Sequence, residues 1–158
     1  MRLTLTKQAE YAVRILVWLA QGAPAAAGAP RRRKAAAIAA ATAIPPIFAA
    51  RVLALLQRQG LLLARAGQQG GYTLARPAPD ISLLDVVEAV EGPLVSRECV
   101  LRDLPCGADG YCVLHEGWSS AREALRTVLA HTTLTSVTAG SVPALNGSAA
   151  AAARAASC

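Results

Sequence analysis

Between Cys99 and His115 the chain reads Cys-Val-Leu-Arg-Asp-Leu-Pro-Cys-Gly-Ala-Asp-Gly-Tyr-Cys-Val-Leu-His. Three of the four cysteines fall here, with Pro105, Gly107 and Gly110 among them. That density of breakers predicts a loop, since helix and strand interiors tolerate neither residue type well. A loop can turn three thiolates, Cys99, Cys106 and Cys112, toward one point, and soft thiolates gathered that way suit an iron–sulfur cluster or zinc. His115 adds an imidazole three residues after Cys112. Zinc sites commonly use spacings of roughly two to four residues. Here six residues separate Cys99 from Cys106 and five separate Cys106 from Cys112, so the spacing favours iron–sulfur.

Charge divides the chain. Residues 1–79 hold 11 Lys and Arg against one acid, Glu10, while residues 80–158 hold 5 against 9. The net charge of +6 therefore conceals a strongly basic first half. That is the electrostatic footprint of a nucleic-acid partner, here joined to a second, acidic module. At 158 residues one domain with appendages is expected. The 54% hydrophobic content overstates the core, because much of it is alanine and aromatic residues make up 4%. The apolar run at 15–20 is too short for a signal peptide, and no run reaches transmembrane length. These features predict a cytoplasmic protein without a membrane partner, where cysteines bind metal more often than they form disulfides. The sequence contains no nucleophile–base set and no nucleotide loop, so an enzyme is not expected.

In chain order, Thr6 caps a helix that runs to about Gln21, with Ala9, Ala12, Val13, Leu16, Val17 and Ala20 at helical spacing and Gly22 as its stop. A small-residue connector leads to Arg31, Arg32, Arg33 and Lys34, which read as phosphate contacts or a solvated patch. A short Ala-rich helix over 34–43 ends in Ile44-Pro45-Pro46, and Pro45 or Pro46 opens a longer helix to about residue 59. That helix is expected to bury Phe48 or Ile47 with Val52, Leu55 and Leu56. Short helix, turn and longer helix form a helix–turn–helix pattern. Two strand-like runs flank Gly67-Gln68-Gln69-Gly70-Gly71, giving a hairpin with a glycine-rich polar tip between Arg65 and Arg76. Its position after the helix pair makes it the wing of a winged helix. A further amphipathic helix spans 81–91 with Leu83, Leu84, Val87 and Val90 inward. Beyond Gly117, the residues Trp118, Ala121, Leu125, Val128 and Leu129 recur at helical steps, a stripe suited to a twin subunit, since symmetric DNA readers span two half-sites. From about Thr138 the composition reads as a disordered Ala/Ser-rich tail, with Cys158 an incidental thiol.

The sequence resembles the IscR/NsrR-type iron–sulfur transcriptional regulators of bacteria. The resemblance rests on Met1-Arg2-Leu3-Thr4 with Glu10-Tyr11-Ala12-Val13, on Ile44-Pro45-Pro46, and on Gly70-Gly71-Tyr72-Thr73-Leu74. Ile81-Ser82-Leu83-Leu84-Asp85-Val86-Val87, Glu88-Ala89-Val90-Glu91-Gly92 and the three-cysteine loop complete it. It implies a homodimeric repressor or activator, more often a repressor, whose affinity for a palindromic double-stranded operator depends on a cluster. That cluster, 2Fe–2S favoured over 4Fe–4S, would sense redox state, nitric oxide or iron and iron–sulfur status. Cys99, Cys106 and Cys112 carry over as ligands. The fourth ligand is either His115 or the partner subunit's copy of Glu10. The loop's first half is one residue longer than in many relatives, and the Arg-rich run and Ala-rich first helix depart from the usual pattern.

The expected fold is therefore mainly α with a small β-wing. A winged helix–turn–helix domain occupies 1–80. A connecting helix, cluster-binding loop and dimerisation helix occupy 81–137, and a tail 138–158. The second helix of the pair offers few hydrogen-bonding groups near Pro46, which leaves Arg51 as the base reader. Arg31, Arg32, Arg33, Lys34 and Arg65 would anchor phosphates. Gln68, Gln69, Gly70, Gly71 and Tyr72 form the wing contact. The alternatives are an iron–sulfur redox carrier and a zinc-stabilised interaction module.

Overall fold

The computed structural model describes residues 5–22, 32–94, 98–99, 102–105 and 113–140, with 98–99 and 102–105 described through their backbone. Arg31, Cys106, Cys112 and the tail from 141 onward lie outside the described residues. Helix α1 (Lys7–Gln21) starts where expected, because the Thr6 hydroxyl accepts the Ala9 amide at 3.2 Å. Its buried stripe is Ala9, Ala12, Ile15, Leu16 and Leu19. Val13, Val17 and Ala20 pack at the edge of the core, so the inward face is rotated from the one predicted.

Helix α2 (Ala35–Ala41) and helix α3 (Pro46–Arg58) turn through 115° at their break. The end of α2 closes as a Schellman motif: the Ile44 amide donates to the Ala39 carbonyl at 3.0 Å and the Ala43 amide to the Ala40 carbonyl at 3.3 Å. Ala43 occupies the left-handed position of that motif, at φ 52°. Ile44 and Ala39, the two ends of the motif's apolar contact, are both buried. Helix α3 buries Ala49, Val52, Leu53 and Leu56. Ile47 and Phe48, expected inside, are instead 64% and 47% exposed, and Leu55 is half-buried. The core stripe runs through 49, 52, 53 and 56, a phase that leaves Ile47 on the outer face and Phe48 on the flank.

The wing follows. Strands β1 (Leu62–Arg65) and β2 (Gly71–Leu74) pair antiparallel, from Leu62 opposite Leu74 to Arg65 opposite Gly71. Arg33 adds a third backbone segment: its amide and carbonyl both bond to Tyr72 at 2.8 Å. Helix α4 (Leu83–Glu91) opens with a capping box between Ser82 and Asp85 and buries Leu84, Val86 and Val87. Leu83 and Val90 are only half-buried, and Val86 takes the inward place they were assigned.

A two-stranded ribbon, β3 (Glu98–Cys99) and β4 (Arg102–Pro105), pairs Cys99 with Arg102 and Glu98 with Pro105. The first half of the predicted loop is therefore regular structure. The breakers Gly107 and Gly110 fall after β4, and Pro105 is the last residue of this edge strand, a place that tolerates proline. Helix α5 (His115–His131) runs through Gly117 and buries no residue, and helix α6 (Leu134–Ala139) turns back onto α1. Thr138 and Ala139, read as the start of the tail, belong to α6. The Leu83 amide bonds to the Thr132 carbonyl at 2.8 Å and the Leu134 amide to the Ile81 carbonyl at 2.9 Å. Leu134, Ile81 and Val86 thereby enter the same core as α1, α2 and α3.

Candidate nucleic-acid interface and sensor arm

On α3 the residues opposite the buried stripe are Ile47, Arg51, Ala54 and Arg58, all exposed and spaced i, i+4, i+7, i+11. That spacing puts them on one face. Pro46 opens the helix at its first position, so no amide is lost to the proline. Among the described residues no carboxylate pairs with Arg51. Arg58 shares the face and was not singled out from the sequence; its seven-residue spacing from Arg51 was the signal.

The wing presents Arg65, Gln68 and Gln69 to solvent. Gly70 and Gly71 have a structural reason to be glycine. A Cβ at Gly70 would lie 2.1 Å from the Arg65 carbonyl oxygen, and one at Gly71 would lie 2.6 Å from that of Arg33. Tyr72 holds Arg33 through backbone bonds. The cations of the Arg-rich run differ in their employment. Arg33 lays its guanidinium over the Trp18 ring at 5.3 Å, and Arg32 is half-buried. Lys34 reaches the wing tip, where its ammonium donates to the Gly67 carbonyl at 2.8 Å. This link between the start of α2 and the tip was not legible in the sequence. It fixes the wing relative to the helix pair.

Helix α1 packs against α3 on one side and against α4 and α6 from the later half of the chain. Glu10 sits in the first turn of that helix, and its carboxylate accepts from Lys7 at 2.7 Å and from Arg14. Arg14 also donates to the Thr42 carbonyl at 3.2 Å, tying α1 to the end of α2. Tyr11 and Phe48 place their rings 6.4 Å apart across the α1–α3 junction.

In the acidic half, Cys99 ends β3, and β4 ends at Pro105, one residue before Cys106. His115 is the first residue of α5. Among the described residues no three His, Cys, Asp or Glu side chains converge; Cys106 and Cys112 lie outside them. Along α5, Leu125 and Val128 are 44% and 62% exposed, with Val113 and Leu114 exposed just before the helix. No single helix among the described residues is long and apolar enough to cross a membrane.

An exposed second helix and a glycine-closed hairpin beside it are how winged helix–turn–helix proteins meet duplex DNA, and this chain is a DNA-binding transcriptional regulator of that class. The Rrf2 profile, described as iron-dependent transcriptional regulator, matches residues 5–140. An HTH-type transcriptional regulator of Mycobacterium tuberculosis is 38% identical over 140 residues, spanning 88% of this chain and 83% of that protein. The HTH-type transcriptional repressor NsrR of Streptomyces coelicolor is 32% identical over 96 residues, 61% of this chain and 64% of the repressor. CymR, the global cysteine regulator of B. subtilis, superposes with a TM-score of 0.72 at 22% identity, covering 88% of this chain and 98% of that one. The chain belongs to the Rrf2 family.

Proposed function

We propose that this Rrf2 regulator acts as a homodimeric repressor on a palindromic operator. Its affinity is set by an iron–sulfur cluster, 2Fe–2S in form, on Cys99, Cys106, Cys112 and His115. The observation that carries this reading is the frame around the thiolates. A backbone ribbon bears Cys99 and ends next to Cys106 in the chain, and His115 opens a helix three residues past Cys112. Three soft donors and one imidazole fit a cluster of the kind in which imidazole replaces thiolate. When bound, the cluster supplies an iron whose non-thiolate ligand is exchangeable, so that redox state, nitric oxide or iron supply can be read.

His115 is favoured over Glu10 by what Glu10 already does. Both of its oxygens are engaged by cations, Lys7 and Arg14. Ligation would forfeit the part-buried, charge-assisted bond from Arg14, and with it the weaker pair to the exposed Lys7. The exposed stripe of α5 supports the dimer, since Leu125 and Val128 find no cover within the described residues. Rearrangement of the sensor arm reaches the DNA-reading half through Thr132 and Leu134, which are bonded to the residues flanking Ser82. An effector shifts such an equilibrium only through contacts that differ between the two states.

Anaerobic purification with iron and acid-labile sulfide analysis tests the proposal. About two of each per chain are expected for a 2Fe–2S centre. Cys106→Ala should abolish the visible absorbance and change operator affinity. His115→Ala should alter the spectrum, while Glu10→Ala leaves it unchanged. Zinc without sulfide, or a Glu10→Ala spectrum changed in place of the His115→Ala one, overturns the assignment.

A further inference from the structure

We infer that the protein reads thymine methyl groups in the major groove through Ile47. The inference rests on α3 being the base-reading helix and names one group on the DNA that it reads. Recognition helices meet base edges with their N-terminal residues. Here those residues are Pro46, Ile47, Phe48, Ala49 and Ala50, none of which has a hydrogen-bonding side chain. Ala49 is in the core, and Phe48 leans on Tyr11 at 6.4 Å. Pro46 and Ala50 are exposed but small, which leaves Ile47, 64% exposed and on the same face as Arg51 and Arg58, with the longest apolar reach from this turn.

The charge around Ile47 selects its occupant. An apolar protein surface laid over this face would desolvate Arg51 and Arg58 without offering a counter-charge. Duplex DNA offers phosphates for those cations and one apolar group on its major-groove edges, the C5-methyl of thymine. Arg51 lies one helical turn from Ile47, so their side chains start about 6 Å apart, within two base steps. A guanine, whose N7 and O6 suit a guanidinium, is thus expected within two base pairs of the thymine in each half-site. Tyr11, by backing Phe48, fixes the first turn of α3 and with it the direction Ile47 faces.

Selection from a random duplex library, run on the cluster-loaded protein and on the protein after chelation, supplies the operator. Each thymine of the enriched half-site is then replaced by deoxyuridine, which removes the methyl and nothing else. At one position per half-site the replacement is expected to weaken binding about fourfold per methyl. Ile47→Ala should bind the thymine and deoxyuridine duplexes alike, and Ile47→Val should keep most of the discrimination. An enriched duplex whose deoxyuridine forms all bind equally well overturns this inference alone, as does full discrimination by Ile47→Ala. A library that yields no enriched duplex overturns the base-reading role of α3 as well. Light scattering should give Ile47→Ala the mass of the parent protein; a lower mass would make Ile47 an interface between copies and overturn the inference.

Discussion

Ala43 holds the bend of the helix–turn–helix at φ 52°, a conformation in which a Cβ crowds the following carbonyl and costs roughly 1–2 kcal/mol. The Schellman bonds on either side of it and the buried Ile44 behind it hold the strain in place. Ala43→Gly should therefore raise the unfolding free energy by about 1 kcal/mol, the relief less the extra flexibility of the unfolded chain, measured by urea titration. The opposite exchange at the wing should do harm. Gly71→Ala brings a Cβ within 2.6 Å of the Arg33 carbonyl at φ 137°, and a loss of roughly 2–4 kcal/mol is expected in the same measurement. At this scale the sequence was readable where the signal is local. Thr6 announces its helix because a hydroxyl reaches an amide three residues on, whereas the same cap at Ser82 went unread and the helix begins at Leu83, not at 81. The strain at Ala43 was not readable, because an alanine among alanines carries no mark of its backbone angle.

Among the elements, the wing is a lever set by two attachments outside itself, the Arg33–Tyr72 backbone pair and the Lys34 ammonium on Gly67. Arg65 stands at its edge, exposed, as a candidate phosphate anchor. Arg65→Ala should lower the slope of log affinity against log salt by about 0.9, the share of one phosphate contact. On α5 a pair of charges tests the dimer: Leu125→Glu with Val128→Glu should give a folded monomer by light scattering, with normal helicity. The helix pair and hairpin were legible because Pro45-Pro46 and Gly70-Gly71 punctuate them. The inward face of α3 is not the one periodicity suggests, because Ile47 and Phe48 count as core there, whereas the buried stripe is Ala49, Val52, Leu53 and Leu56. The β3–β4 ribbon was hidden by the breakers that follow it. Helix α6 was hidden by its brevity and by its Thr and Ser content, which resembles the tail.

For the whole molecule, Leu134 is the residue through which the last helix joins the core, fully buried beside Ile81 and α1. Leu134→Ala should cost about 2–5 kcal/mol, seen as an earlier denaturant midpoint, although the residue lies far from both the wing and the cysteines in sequence. The charge split, basic before residue 80 and acidic after, was legible from the outset, and it separates the half that holds the helix pair and wing from the half that bears the cysteines. What composition could not show is that the chain comes home. After α5 it rejoins the core at Thr132, whose carbonyl accepts from the Leu83 amide in the first turn of α4. The Ser82–Thr133 bridge fixes this return at the start of α4, while Glu91 stands at the other end of that helix. An insertion rooted that way is a cassette. Its chemistry can be lengthened, emptied or exchanged by grafting at two seams one short helix apart, and the packing of α1, α2 and α3 would be left intact.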